Sequence, residues 1–518
     1  MKRININIRK LTLVAAFATV AVMGSCTDGF EDANRPGNKA NAEELGRDNY
    51  MSGNFLINMQ DNVFPEQENA YQMNYDLIGN YLGRYFTYAN NGFAQKNFVL
   101  SNAPENWAAY PLRDMKPKIE SNFEEIRRIS HGEGLTYALA LILRAQGYLT
   151  LTDMYGPLTI GADDNDANAY SSQKDVYKRI LSDLDSATAM MAPVVSANPS
   201  VKFAEEYDHV YHGTLSSWLK FANSLKLRMA IRMRFVEPGL AKKIGEQAVK
   251  DGVITNNSDN LTITYTPNGL YKTSVEWGDT RACADIETYM NGYHDPRIEK
   301  YFSSPATSGP RKIIGMRAGA NVGNKAMADA LYSAANVKQN DNGIWMTAAE
   351  VTFCRAEGAL AGWTGMGGTA GELYNQAVTL SFEQWGVSGV STYLTNDSDK
   401  QADYLNVEGG YGSNASAVST ITVKWDDSAS EEVKLERLIT QKWIAMFPNG
   451  QEAWCDLRRT GYPKVFAPAQ SSAANLSVAN RLPLDPKERV RNKTNYDKAV
   501  QLLGGADDYA TKMWWQKK

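Results

Sequence analysis

The chain has 518 residues, a formal net charge of −4 and a 43% hydrophobic share, as an ordinary globular protein has and a disordered one does not. Residues 1–25 hold Lys2, Arg3, Arg9 and Lys10 and no acid, so the remainder carries 50 Lys+Arg against 58 Asp+Glu, a balance of −8. That acidic body argues against nucleic-acid binding, which rests on neutralising phosphates. The four histidines (His131, His209, His212 and His294) give little support to His-based catalysis or His-rich metal sites, whereas the chain is rich in Tyr (27), Phe (16) and Trp (11).

Residues 1–25 read as a signal segment. The basic start MKRININIRK is followed by the apolar run Leu11 to Met23, too short to span a bilayer. Met23-Gly24-Ser25-Cys26 resembles the lipobox of bacterial lipoproteins, which makes Cys26 the expected lipidation site. Several acyl chains on one Cys give stable anchoring where one would be marginal. Residues 26–45 are polar and rich in Gly, Asn and acid, a tether with too little apolar content to pack.

Residues 46–518 read as a single domain dominated by helical periodicity. Leu135 to Leu149 predicts a helix ending at Tyr155-Gly156-Pro157, and Val176 to Met191 a second one stopped near Pro193. Further helices are predicted over Leu215 to Val236, Leu240 to Val249, Met346 to Trp363, Leu373 to Trp385 and Glu431 to Phe447. Arg144-Ala145-Gln146-Gly147-Tyr148-Leu149 matches Arg355-Ala356-Glu357-Gly358-Ala359-Leu360 as RAxGxL, each time in the first helix of a pair. Short loops and this echo favour divergent helical hairpins stacked on one another, like tetratricopeptide arrays. Two loop-rich regions interrupt them, near 253–345 (with LTITYTPNGLYKTSVEW) and 386–430 (with ITVKW as a short strand). The expected fold is mainly α, with large irregular loops and a few short strands.

Catalytic signatures are absent: there is no HExxH and no GxSxG. His209 and His212, beside Glu205, Glu206 and Asp208, read as polar surface residues. Cys283, Cys354 and Cys455 have no CxxC spacing, and Cys354 and Cys455, lying among apolar neighbours, read as buried thiols. Asp164, Asp166, Asn168 and Asp175 fit a calcium-loop register, but Ala169 stands where Gly is needed and Asp175 where the longer Glu is needed. They form only a weak calcium candidate, and no other metal or cofactor is expected. A glycosidase needs merely two carboxylates a few ångströms apart, so a hydrolase reading stays open.

Aromatic side chains with polar neighbours are the remaining signal, because rings stack on sugar faces or receive peptide side chains. One loop cluster is Tyr81, Arg84, Tyr85, Tyr88, Asn90, Asn91 and Phe93; the other is Tyr271, Trp277, Asp279, Arg281, Tyr289 and Tyr293. From these, Tyr85, Tyr88, Asn90, Asn91, Tyr271, Trp277, Arg281 and Tyr289 are the expected ligand-binding residues. Trp218, Trp363, Trp385 and Trp443 lie in helical patterns and read as packing residues.

Together these motifs resemble the SusD/RagB family of outer-membrane lipoproteins of Bacteroidota, in its SusD-like branch. The most specific block is Gln441-Lys442-Trp443-Ile444-Ala445 through Gly450, Glu452-Ala453-Trp454 and Asp456 to Arg458-Arg459-Thr460-Gly461 and Pro463; Arg481-Leu482-Pro483 with Pro486, Glu488 and Asn492 resembles a downstream block. Leu484 departs from the aromatic that usually follows Arg-Leu-Pro. Trp443, Trp454, Asp456, Arg458 and Arg459 read as structural, bridging a helix end and a turn by ion pairs and stacking. The resemblance implies a cell-surface nutrient-binding lipoprotein without catalysis, which captures an oligosaccharide or oligopeptide and delivers it to a SusC-like TonB-dependent transporter. Asp28, Glu31 and Asp32 resemble the surface-export signal of such lipoproteins. The rival readings are a surface-anchored hydrolase and a structural accessory subunit of the transporter. Family ligand residues lie in variable loops, so the two aromatic clusters are expected from chemistry and position alone.

Overall fold

Helix starts in this chain fall where side chains can satisfy the first free amides. Ser172, Thr347, Ser430 and Asn449 each accept from a backbone N–H three residues on, and Thr369 with Glu372 forms a reciprocal capping box. The computed structural model describes residues 50–161, 166–306, 311–470 and 478–517. The signal segment 1–25, Cys26, the tether with Asp28, Glu31 and Asp32, and Asp164 lie outside the described residues.

The principal helices are α1 (Tyr50–Val63), α2 (Met115–Ser130), α3 (Gly134–Tyr155), α4 (Gln173–Ala197), α5 (Leu215–Met233), α6 (Pro238–Asp251), α7 (Ala284–Gly292), α8 (Ala348–Leu360), α9 (Ala370–Gln384), α10 (Glu431–Ala445), α11 (Gly450–Thr460) and α12 (Lys493–Leu503). Successive helices pack as hairpins: α2 on α3, α3 on α4, α5 on α6 and α8 on α9. This is the stacked arrangement that the hydrophobic spacing predicts. The helix expected to stop near Pro193 runs on to Ala197. A proline this close to the end removes one backbone bond and leaves only an exposed final turn beyond it. Met346, expected to open a helix, instead closes a strand, and Thr347 caps α8 after it.

Among the described residues, three two-stranded antiparallel sheets punctuate the helices. β1 (Phe86–Tyr88) pairs with β5 (Thr280–Ala282), β2 (Leu158–Thr159) with β3 (Tyr170–Ser171), and β4 (Leu261–Thr264) with β6 (Asn342–Met346). Region 253–345 is therefore tied down by β4, β5, α7 and β6. ITVKW (421–425) is not a strand. Ile421 and Val423 are buried, but their carbonyls accept from the hydroxyls of Tyr293 and Tyr374 at 2.9 and 2.5 Å and not from a neighbouring strand.

The helical core encloses a lattice of buried charge. Arg228 binds Glu350 at 2.8 and 3.0 Å, Arg232 binds Asp153 and Glu452, Arg459 binds Glu357 at 2.5 and 2.9 Å and Asp456 at 2.7 Å, and Lys442 binds Asp456 at 2.7 Å. Burial alone would raise the Asp456 carboxyl, but Lys442 and Arg459 hold it well below the usual carboxylate range. The Arg458 guanidinium lies 3.5 Å over the Trp454 ring. The block from Lys442 to Arg459 is thus part of a structural clamp joining α3, α5, α8, α10 and α11. Cys283, Cys354 and Cys455 are buried free thiols.

Candidate ligand-binding site

The two aromatic clusters meet at the β1–β5 pair. Thr87 lies opposite Arg281, Tyr88 lies opposite Thr280, and the Asn90 amide donates to Asp279 Oδ1 at 2.9 Å. Their residues part company in burial. Tyr85, Tyr88 and Tyr289 are packed inside, where their hydroxyls donate to the carbonyls of Trp443, Ala320 (2.9 Å) and Lys464 (2.9 Å). Arg281 is buried against the carbonyls of Ser274 and Thr280 and pairs with Asp329 at 2.8 Å. Asn91 is exposed, and Asn90, Tyr271 and Trp277 are half-buried, leaving ring and amide surface accessible. Lys272 Nζ sits 5.7 Å from the Trp277 ring centre.

Tyr271 opens the π-helical turn Tyr271–Glu276, directly after a turn (268–270) that forms one wall of a pocket of about 520 Å³. That volume suits the enclosure of a small ligand, for which roughly 300–1,000 Å³ is usual. A second π-helical segment, Gln72–Asn80, supplies Tyr75 and Asn80, with Tyr71 just before it. β6 supplies Trp345, the end of α9 supplies Gln384 and Trp385, and the turn into α11 supplies Phe447, Asn449 and Gln451. π-Helical turns inside helices commonly mark functional sites, since the extra residue redirects side chains. The floor depends on one close backbone crossing. A Cβ on Gly450 would lie 2.4 Å from the Asn80 Cα, and one on Gly79 would lie 2.6 Å from the Gln451 nitrogen. Glycine at both positions lets the first turn of α11 sit directly on the 72–80 segment.

Aromatic packing shapes the walls. Tyr75 meets Trp345 edge-on at 4.8 Å, Tyr301 stacks on Phe447 at 4.3 Å, and Trp385 meets the same Tyr301 at 4.7 Å. Trp385 does pack, as the helical pattern predicts, but it also lines the pocket. Around the mouth stand the exposed Asn336, Asn340, Asp341 and Asn342. Several amides act as braces: Asn449 donates to the Trp345 carbonyl at 2.8 Å, Asn268 donates to the Asp341 carbonyl at 3.0 Å, and Asn80 accepts from the Gly450 amide at 3.2 Å. Other polar atoms are left over. The ring nitrogens of Trp345 and Trp385 and both amide atoms of Gln451 are buried, with no hydrogen-bond partner among the described residues.

Glu66 belongs to the same wall. Burial pushes its carboxyl up to about 8, opposed only in part by the Gly269 amide, which donates to it at 2.8 Å. A Cβ on Gly343 would come within 2.1 Å of its Oε1, so glycine is required opposite it. The sequence clusters missed this pocket. Its available signal was the run Asn340-Asp341-Asn342-Gly343 leading to Trp345 inside a segment already read as loop-rich.

A model of the SusD-like family, described as the SusD and RagB outer-membrane lipoproteins, matches residues 32–516. The chain belongs to this family. A SusD homologue from Bacteroides uniformis is 36% identical over 90% of this chain and 100% of its own, with a TM-score of 0.84. A SusD-like protein from Bacteroides thetaiotaomicron is 32% identical over 90% and 99%, with a TM-score of 0.85. A chitin-binding SusD homolog from Flavobacterium johnsoniae is 36% identical over 90% and 98%, with a TM-score of 0.84. No curated protein matches the chain.

In this SusD-like chain no helix among the described residues is long and apolar enough to cross a membrane. The acidic calcium candidate is divided among protein partners. Asp166 accepts from the Asn168 amide at 3.0 Å and from the Asn495 side chain at 2.7 Å, whereas Asp175 accepts from Ser172 at 2.7 Å and Lys178 at 2.8 Å. Among the described residues no group of His, Cys, Asp or Glu is placed to hold a metal ion.

Proposed function

We propose that the chain is a surface-exposed binding lipoprotein, anchored through Cys26, that captures an oligosaccharide and delivers it unaltered to a SusC-like TonB-dependent transporter. The observation that carries this reading is the pocket of about 520 Å³ lined by the rings of Tyr75, Tyr301, Trp345, Trp385 and Phe447, with the exposed amides of Asn336, Asn340 and Asn342 around its mouth. Flat rings beside directional amides suit a pyranose, and the chitin-binding homologue supports a glycan over a peptide. Tyr271, Trp277, Asn90 and Asn91 form a shallower extension that would hold further sugar units. Tyr85, Tyr88, Arg281 and Tyr289 support that surface from beneath.

The test is calorimetric titration of the purified chain with a panel of neutral glycans, followed by chromatography of the recovered sugar. Saturable binding with the sugar intact is expected, and Trp345→Ala weakens it by at least tenfold. The hydrolase alternative rests on Glu66 and Asp341, the carboxyl side chains on this pocket. Shortened sugar after prolonged incubation would establish that alternative instead.

A further inference from the structure

The lining of the pocket carries charge of one sign. Glu66 and Asp341 are the carboxyl side chains on it, and no Lys, Arg or His is among the described residues that line it. Asp341 stands exposed at the mouth, whereas Glu66 is buried in the turn after α1 and reaches across to β6. Its Oε1 occupies the space that a side chain at 343 would fill. Oε2 accepts from the Gly269 amide, and Oε1 has no hydrogen-bond donor among the described residues. Rings complete the cavity: Tyr71, Tyr75, Trp345 and Trp385 all line it. Ring faces are electron-rich, so they attract a cation within about 6 Å and repel an anion. A neutral sugar would use the rings and leave both carboxyls idle. An anion would meet two acids and no counter-charge. A cation engages rings and carboxyls together.

A buried charge is stable only when paired, and here the partner forms as the ligand arrives. Burial keeps the proton on Glu66 up to about pH 8. An ammonium beside it favours the charged carboxylate, so the proton passes to solvent as the ligand enters, and the buried pair has no net charge. Facing Glu66 are the hydroxyls of Tyr71, Tyr75 and Tyr265, with Asp341 at the mouth. Burial holds those three hydroxyls above the usual tyrosine range, so none releases a proton below pH 8. Resting on the reading that the pocket holds a glycan, we propose that it selects sugars with an unacylated amino group, the ammonium lying against the Glu66 carboxylate and the rings of Trp345 and Trp385. Glu66 is then the residue that sets specificity, whereas the aromatic walls serve any sugar.

The experiment is calorimetry on the detergent-solubilised full chain at pH 6.5, in two buffers of different ionisation enthalpy. Oligosaccharides carrying one 2-amino group are compared with their N-acetyl and hydroxyl counterparts on the same backbone. A single charge per ligand keeps general attraction to an acidic protein small, and added salt removes what remains. The amino sugar is expected to bind roughly tenfold tighter than either counterpart and to release a proton on binding, which the counterparts do not. Its affinity then rises by up to about tenfold per unit between pH 5 and 6.5, where the amine stays charged. Glu66→Gln, checked for folding by its melting curve, abolishes the proton release and brings the ratio toward one. Equal or reversed affinities, or amine binding without proton release, overturn the ammonium assignment and leave the glycan reading standing. Tri-alanine binding in place of every sugar, and lost on N-acetylation, overturns the glycan reading and upholds the ammonium. Absence of binding to every ligand overturns both. The wild-type ratio and proton count decide the matter even where the variant fails to fold.

Discussion

The charge lattice beneath α11 and the pocket above its first turn are both built from buried polar groups, and they differ in whether those groups are spent. In the lattice, Glu357 and Asp456 are each shared between cationic side chains, and Arg459 engages both carboxylates. Around the pocket, the indole nitrogens of Trp345 and Trp385 and the amide of Gln451 have no hydrogen-bond partner among the described residues, and the buried Glu66 accepts from the Gly269 amide. Helix α11 carries both ends of this contrast, with Gln451 in its first turn and Asp456 and Arg459 in its last two. Satisfied buried polar groups hold a unique packing, whereas each unsatisfied one costs free energy; Arg232 Nε, inside the lattice, is one such atom too.

The largest effect is expected on the spent side. Arg459→Ala strands Glu357 and Asp456 as buried carboxylates with fewer cations and should cost about 3–5 kcal/mol in chemical denaturation. A loss under about 1 kcal/mol would mean that water already screens the lattice. Glu66→Gln should act in the opposite direction and through pH. In the folded protein Glu66 keeps its proton up to about 8, whereas in the unfolded chain it releases it near its ordinary value of 4.5. Its contribution to stability is therefore complete below pH 4.5 and is lost as pH rises through 8. The variant should gain on the wild type by about 1.4 kcal/mol per pH unit between roughly pH 5 and 8. Parallel pH profiles would show that Glu66 is solvated in the native state.

Smaller still is the expected effect at the shallow extension. Tyr271→Ala with Trp277→Ala removes half-buried rings, each worth about 0.5–1.5 kcal/mol as a stacking partner. Affinity should fall severalfold for long oligosaccharides and hardly at all for a disaccharide. Unchanged affinity and unchanged nutrient uptake would favour a structural accessory role for that surface.

How legible each region was from sequence follows the same division. The lattice sits on regularly spaced helices closed by recognisable caps, and Lys442, Glu452, Trp454, Asp456, Arg458 and Arg459 fall within one short block, whereas Asp153, Arg228, Arg232, Glu350 and Glu357 reach it from other helices. The pocket gathers residues from distant stretches (66–80, 260–270, Tyr301, 335–345, 384–385 and 447–451), and no local periodicity announces such a meeting. Trp385 illustrates the difficulty. Its helical spacing gives the packing role, but at the end of α9 the ring also reaches the pocket. The β1–β5 junction was half legible. Polar-flanked aromatics marked two clusters that the β1–β5 pair does bring together, but spacing alone could not separate Tyr85 and Tyr88, which face the core, from Tyr271 and Trp277, whose rings stay partly exposed.

The most direct test of the central claim is a crystal structure with the tightest-binding glycan of the panel soaked in. The account predicts an intact sugar in the pocket, lying against the rings of Trp345 and Trp385 and within reach of the amides at its mouth. A sugar bound on another face of the molecule, or found cleaved beside Glu66 and Asp341, would contradict it.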